Sequence, residues 1–143
     1  MITFSGIDMP CRVDGKRAVK VWLKNEVTAR GKNVGDIGVA LCSDEHLLDI
    51  NNKYLAHDYY TDIITFDYSE GDLICGDLMI SFDRVSENAE KHGVTVQNEL
   101  RRVMVHGVLH LMGAKDKTDK ESKEMRVLED AALCRFHVEH ENK

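Results

Sequence analysis

Two histidines four residues apart, His106 and His110, constrain the fold more than any other feature of this chain. They lie in a predicted helix that begins near Thr95 and ends at Gly113, so both imidazoles project from one helical face, about one turn apart. A separate apolar stripe of the same helix is expected to face the core and comprises Leu100, Met104, Val108 and Leu111. The fold must therefore bury one side of this helix and leave the histidine side open to a cleft.

The histidine pair is suited to binding a metal ion. In zincin metalloproteases two histidines at this spacing bind zinc, and a glutamate directly after the first histidine acts as general base. Gly107 occupies that position here, so the two metal-binding histidines of the motif are present and its general base is absent. Gly113 lets the chain turn back, and Asp116 is the nearest candidate for a third ligand because zinc accepts carboxylate oxygen. A helical glycine costs about 1 kcal/mol relative to alanine, so we expect a sheet or a substrate to approach Gly107 closely.

Strand and helix patterns along the rest of the chain predict an α+β fold. The predicted strands are Ile2–Phe4, Ile37–Cys42, Thr61–Tyr68 and Leu73–Phe82, the last two forming an antiparallel pair across a short connection. The other helices are predicted to begin at Asp14, Ser43, Asp83 and Thr118 or Asp119, with Asp14 and Asp83 as N-caps, and to end near Gly31, Tyr54, Gly93 and His137. This order predicts one domain over residues 1–143, a small mixed β-sheet packed with helices, with the metal helix near the C-terminus.

Composition and charge narrow the class of protein. With 43% hydrophobic and 31% charged residues the chain can bury a core, and no apolar run approaches the ~20 residues that span a bilayer. The first residues carry no export signal, and the four cysteines form no CxxC pair, so we expect reduced thiols in a cytoplasmic protein. The net charge of −6 argues against a protein that coats nucleic acid by bulk charge.

The charges are nevertheless unevenly distributed. The segment Arg12–Lys32 has a balance of +5, whereas Asn33–Ser81 has a balance of −9. Along the first helix we expect an exposed basic row opposite Val21 and Trp22, able to steer substrate phosphates and formed by Arg17, Lys20 and Lys24. A solvated helix face or a docking surface for a protein partner is the alternative that charge alone leaves open.

Two blocks of sequence, one of which contains the histidine pair, match the pattern of one family. The first block, HGxLHLxG, comprises His106, Gly107, Leu109, His110, Leu111 and Gly113. The second block, NxxY followed by TDxxTF and GDLMIS, comprises Asn51, Tyr54, Thr61, Asp62, Thr65, Phe66, Gly76, Asp77 and Ser81. From about Ile37 to Leu133 the chain thus resembles the endoribonuclease YbeY family of bacterial rRNA maturation factors.

The resemblance implies a single-strand-specific, metal-dependent endoribonuclease. Its expected roles are maturation of the 16S rRNA 3′ end and ribosome quality control. It implies one Zn²⁺ per chain, or another divalent ion, and rRNA as the substrate. Ribosomal or ribosome-assembly proteins are the expected partners of a cytoplasmic monomer that does not bind membranes.

Two positions depart from the family pattern. Asp116 stands where the family has its third histidine, so the predicted metal ligands, which also act in catalysis through the metal, are His106, His110 and Asp116. Leu55 stands where the family has an arginine that contacts substrate phosphate. His57 is the nearby candidate for that substrate contact, and a loop histidine without such a role is the alternative.

Two other functions stay open at this point. The first is a zincin-like hydrolase of a peptide or amide bond, against which the missing glutamate at Gly107 counts. The second is a non-catalytic ribosome-assembly factor with a structural metal ion, which the loss of the family arginine at Leu55 keeps open.

Overall fold

The computed structural model describes residues 1–141, with side chains through residue 139. Within this range the strands are β1 (Ile2–Gly6), β2 (Asn33–Cys42), β3 (Ile63–Asp67) and β4 (Leu73–Ser81). The helices are α1 (Lys16–Thr28), α2 (Asp44–Leu55), α3 (Phe82–His92), α4 (Val96–Leu111) and α5 (Asp119–Glu141). The predicted α+β class and the predicted order of elements are confirmed. None of these helices combines the length and apolar character needed to cross a membrane.

The sheet is mixed, with strand order β1-β2-β4-β3. β1, β2 and β4 are parallel, and β3 pairs antiparallel with β4, as the short connection predicted. Thr65 lies opposite Leu78 in this pairing, and Asp67 lies opposite Gly76. Because side chains alternate along a strand, Thr65 and Asp67 share a face of the sheet with Ile63 and Leu78. The edge strand β3 therefore presents polar groups on the side that carries α4, where Ile63 and Leu78 meet Gly107.

The main hydrophobic core lies between that face of the sheet and the helices other than α2. Its largest fully buried side chains include Trp22, Ile37, Leu78 and Leu109. A smaller cluster beneath α2, on the opposite face, contains Cys42, Leu47 and Ile64. In α4 the predicted apolar stripe is confirmed as buried and comprises Leu100, Met104, Val108 and Leu111. The core thus fixes α4 against the sheet.

The residues predicted to begin α2 and α4 are confirmed, whereas the one predicted to cap α1 is not. Ser43 and Thr95 cap α2 and α4, and their hydroxyl oxygens each accept a hydrogen bond from a backbone N–H at 3.1 Å. The prediction that Asp14 caps α1 is wrong, because Gly15 takes that position with φ 63° and no side-chain cap. The backbone N–H of Asp14 instead donates to the side chain of Gln97 at 3.0 Å. The segment before α1 is thus hydrogen-bonded to α4.

The start of α3 and the buried face of α1 also differ from expectation. Ser81, and not Asp83, caps α3, and the Asp83 carboxylate accepts the backbone N–H of Asp44 at 2.9 Å at the start of α2. Trp22 is buried as predicted, but Val21 is 46% exposed. The buried face of α1 consists of Val19, Trp22, Leu23, Glu26 and Val27. A helical face of this spacing leaves Val21 on the solvent side.

An acidic residue, Glu26, lies within that buried face. Its carboxylate accepts hydrogen bonds from Arg135 of α5 at 2.7 and 2.8 Å, and Arg30 lies 3.2 Å away. Burial raises the pKa of Glu26, but the hydrogen bonds from Arg135 and Arg30 outweigh it, so its pKa lies below the ordinary value of 4.5. The ion pair thus joins α1 to α5 across the edge of the core.

Replacing Arg135 by alanine is expected to lower the free energy of unfolding by about 2 kcal/mol at neutral pH. Removing one partner of a buried ion pair costs about 3–5 kcal/mol. The effect is smaller here because Arg135 is 53% exposed and Arg30 still pairs with Glu26. The lowered pKa of Glu26 contributes stability above the unfolded-state pKa, and this contribution is lost as the pH falls through the folded-state pKa. Urea unfolding across this pH range should therefore show the difference from wild type shrinking in acid. A difference in the free energy of unfolding that does not change with pH would contradict this prediction.

Candidate metal centre

Three potential metal ligands converge at the C-terminal end of α4. Nε2 of His106 lies 3.1 Å from Nε2 of His110. Oδ2 of Asp116 lies 3.3 Å from the first nitrogen and 3.4 Å from the second. These donor atoms form the only group among the described residues that fits a single metal ion. The structure therefore brings together the three residues that the sequence predicted as ligands.

The turn after α4 carries Asp116 back to the histidines. Gly113 has φ 99°, a conformation that favours glycine, and the next residue, Ala114, donates its N–H to the carbonyl of Leu109 at 3.0 Å. The Ser122 hydroxyl, on the first turn of α5, then donates to the backbone carbonyl of Asp116 at 2.8 Å. The turn is thus fixed at both ends, and the carboxylate of Asp116 faces the helix that it follows.

Gly107 allows α4 to approach the sheet closely. A Cβ atom at this position would lie 2.8 Å from the side chain of Ile63 in β3 and 2.8 Å from that of Leu78 in β4. Real Cβ atoms do not tolerate such distances, so an alanine would force the neighbouring side chains to move. The prediction that a sheet or a substrate approaches Gly107 is therefore confirmed for the sheet.

Gly107→Ala is expected to destabilise the protein by up to about 2 kcal/mol while leaving metal affinity nearly unchanged. Overpacking costs about 1–3 kcal/mol, and the gain in helix propensity offsets about 1 kcal/mol. The metal ligands all lie on residues 106–116 and would move together. Urea unfolding and metal titration test the two statements separately. The added change Ile63→Val removes one of the two side-chain atoms that lie 2.8 Å from the new methyl group, and its failure to restore any of the lost stability would contradict the steric explanation.

A cavity of about 380 Å³ opens in front of the three ligands. Its other walls come from β3 and the segment before it and comprise Thr61, Asp62, Ile63, Thr65 and Asp67. Burial raises the pKa of Asp62, and the nearby His106 opposes this shift. The cavity thus combines a metal-binding group with carboxylates that can accept a proton.

Glu129 of α5 is a site residue that the sequence analysis missed. Its Oε2 lies 2.6 Å from Nδ1 of His106, and its Oε1 accepts a hydrogen bond from Arg102 at 3.0 Å. Burial lowers the pKa of His106, but the hydrogen bond and charge of Glu129, together with the charges of Asp116 and Asp62, raise it above its ordinary value. A sequence signal existed, because Glu129 occupies a core position in the apolar stripe of α5 formed by Met125, Ala132, Leu133 and Phe136.

His57 lies outside this cavity. It belongs to the loop between α2 and β3, where its ring stacks on Tyr59 with centroids 5.1 Å apart. Its Nδ1 is 2.9 Å from the Tyr59 hydroxyl. The structure therefore does not bring His57 to the metal ligands, although Thr61 and Asp62, a few residues further on, line the cavity.

The basic row of α1 is exposed, as predicted, but it also lies away from the cavity. Arg17, Lys20 and Lys24 are all on the solvent side of α1. The ammonium of Lys20 lies 5.8 Å from the ring centroid of Phe4 in β1, the edge strand at the other end of the sheet from β3. The role of this row in steering phosphates stays a prediction.

The comparisons with known proteins agree with this geometry. The sequence model described as endoribonuclease YbeY matches residues 12–137. This chain belongs to the endoribonuclease YbeY family. The endoribonuclease YbeY of Bacteroides thetaiotaomicron is 49% identical over 119 residues, covering 83% of this chain and 87% of the relative. That of Flavobacterium johnsoniae is 44% identical over 127 residues, covering 89% and 91%.

The fold is also similar to that of a solved structure. A Thermotoga maritima protein studied in solution superimposes with a TM-score of 0.70 and 28% sequence identity, covering 99% of this chain and 93% of that one. The resemblance seen in the sequence is therefore confirmed. Family membership also confirms the prediction of an enzyme that hydrolyses RNA, the activity for which the family is named.

Proposed function

We propose that this protein is a zinc-dependent endoribonuclease that cleaves single-stranded rRNA. Its proposed roles are maturation of the 16S rRNA 3′ end and ribosome quality control in the cytoplasm. We further propose that it acts as a monomer with ribosomal or ribosome-assembly proteins as partners. The observation that carries the proposal is the convergence of His106, His110 and Asp116 at one cavity in a member of an endoribonuclease family.

The spacing of the donor atoms supports zinc. A tetrahedral ion with ligand bonds of about 2.0–2.1 Å places neighbouring donor atoms about 3.3–3.4 Å apart. The corresponding distances here are 3.1, 3.3 and 3.4 Å. Three protein ligands leave one tetrahedral position open, as a catalytic site requires. Elemental analysis of the purified protein should therefore give one equivalent of zinc per chain.

The metal ligands and Asp62 have separate proposed roles in hydrolysis. A bound zinc ion would polarise a phosphoryl oxygen and lower the pKa of a water molecule toward about 7. His106 and His110 offer neutral nitrogen ligands, and Asp116 adds one negative charge, which leaves the zinc site with a single positive charge to attract a phosphate. The carboxylate of Asp62 borders the same cavity and can accept a proton from the attacking group.

Nuclease assays with and without a chelator test this function against its alternatives. We expect cleavage of single-stranded rRNA segments, loss of cleavage with the chelator and recovery on adding zinc. Cleavage of casein with intact RNA would instead indicate a zincin-like peptidase. Binding of RNA without cleavage, together with unfolding on chelation, would indicate an assembly factor with a structural metal ion.

The basic row of α1 gives a separate prediction about RNA binding. Each phosphate contact made by a lysine or arginine contributes a slope of about −0.7 to the dependence of log affinity on log salt for single strands. Replacing Arg17, Lys20 and Lys24 together by glutamine should therefore flatten the slope by about 2 units and weaken binding to every RNA sequence alike. Binding measured across a salt series checks this. An unchanged slope would favour a merely solvated helix or a protein-docking face.

A further inference from the structure

One buried carboxylate behind the metal ligands has no role in the scheme above. Glu129 is only 5% exposed, although it carries a carboxylate in the apolar stripe of α5. Each of its oxygens has a separate partner on α4, His106 for Oε2 and Arg102 for Oε1. Arg102 and His106 are four residues apart, so they lie on the same face of α4 and hold the carboxylate between them.

The partners of Glu129 determine where the proton of His106 lies. An ionised carboxylate only accepts hydrogen bonds, so at 2.6 Å from Oε2 the Nδ1 atom of His106 must be the donor. In a neutral imidazole the other nitrogen then carries the lone pair. That nitrogen is Nε2, which faces His110 at 3.1 Å and Asp116 at 3.3 Å.

Arg102 keeps this arrangement in one orientation. A guanidinium only donates hydrogen bonds, and Arg102 donates to Oε1 of Glu129 at 3.0 Å and to Asp130 at 2.6 Å. It therefore requires an acceptor at the end of Glu129 that points away from His106. In contrast, no described residue bonds Nδ1 of His110, so only one of the two histidines is fixed in this way.

We propose that Glu129 is a positioning residue that holds the proton of His106 on Nδ1 and thereby keeps Nε2 ready to bind the metal ion. The inference rests on the proposed metal site, and it concerns preparation of the site before metal arrives. Neutral histidine in water favours the proton on Nε2, the nitrogen that must be free here. Glu129 reverses that preference through a hydrogen bond, and partners of this kind typically contribute about 10- to 100-fold in metal affinity.

Glu129→Gln tests the proposal with a side chain of the same size. Because Arg102 needs an acceptor, the amide oxygen of the glutamine would turn to Arg102 and its NH₂ group would face Nδ1 of His106. The amide then donates to Nδ1 and drives the proton of His106 to Nε2. Asp130→Asn is the matched control, since Asp130 also pairs with Arg102 but does not touch His106.

NMR of isotope-labelled histidine nitrogens in the metal-free protein, above the histidine pKa, identifies the protonated nitrogen directly. We expect Nδ1–H for His106 in the wild type and in Asp130→Asn, and Nε2–H in Glu129→Gln. Because Nε2 of His106 lies 3.1 Å from Nε2 of His110, the proton of His110 should move from Nε2 to Nδ1 in Glu129→Gln. Zinc affinity, measured by competition with a chelator, should fall about 10- to 100-fold in Glu129→Gln only. Wild-type His106 with its proton on Nε2, or a Glu129→Gln affinity equal to that of the wild type, would overturn the proposal.

The NMR spectrum of the wild-type protein tests the proposed position of the His106 proton even if Glu129→Gln does not fold. The outcome is also independent of RNA cleavage. A protein that shows the Nδ1–H tautomer and the affinity change but cuts no RNA would contradict the nuclease function alone. A protein that cuts RNA with His106 in the other tautomer would contradict the role of Glu129 alone.

Discussion

Alanine in place of His106 or His110 is expected to abolish stoichiometric zinc binding and to lower RNA cleavage at least about 1000-fold. Each change removes one of three donor atoms that lie within 3.4 Å of one another, and two ligands alone do not define a tetrahedral site. Partners outside the ligand shell already contribute about 10- to 100-fold in affinity, so a ligand itself should contribute more. Elemental analysis and single-turnover cleavage measure the two losses.

The matched control for this experiment is His137→Ala, which changes a histidine of α5 that does not border the cavity. It should keep one equivalent of zinc and wild-type cleavage. Metal-free His110→Ala and His137→Ala should resemble metal-free wild type in thermal unfolding, whereas His106→Ala should be less stable because it removes the hydrogen-bond partner of the buried Glu129. A double variant lacking both His106 and His110 that still holds a full equivalent of zinc would locate the site elsewhere.

Asp116→Asn is expected to weaken zinc binding, whereas Asp116→His is expected to keep or tighten it. The asparagine keeps the size of the side chain but removes its charge, so affinity should fall by at least the factor of about 10 to 100 that is typical of partners outside the ligand shell. The histidine supplies the third ligand usual in the family and should keep or tighten binding. The Asp116 side chain is 38% exposed, so the turn has room for the larger ring. Competition with a chelator measures both affinities.

Equal zinc affinity in wild type and Asp116→Asn would show that Asp116 is not a ligand. Asp119, at the start of α5, is then the next carboxylate along the chain. Asp119→Asn is therefore a useful companion variant. It should keep wild-type affinity if Asp116 is the ligand.

Local sequence patterns predicted the part of the site that a single helix and turn build. The spacing of His106 and His110, the apolar stripe of α4 and the turn at Gly113 depend on residues close in sequence. These features therefore agree with the structure. The antiparallel pairing of β3 with β4 was predictable for the same reason, because a short connection joins the two strands.

Features that depend on contacts between distant elements were not predictable in this way. Glu129 meets His106 only because α5 packs along α4, and a helical pattern does not specify its neighbour. Asp83 belongs to α3 but bonds the first turn of α2, so its position in sequence suggested the wrong cap. Val21 is apolar yet exposed, because the packing of α1 selects a face that excludes it.

The short span that holds the metal ligands has a consequence for how the site can change. All three donors lie within residues 106–116, whereas the buried residues of the main core are spread along the chain from Ile2 to Phe136. One codon can therefore replace the third ligand, from imidazole to carboxylate or back, without repacking the interior. The net charge on the metal would change by one unit in that exchange while the scaffold stayed the same. The charge at the metal site can thus change in evolution while the fold is kept.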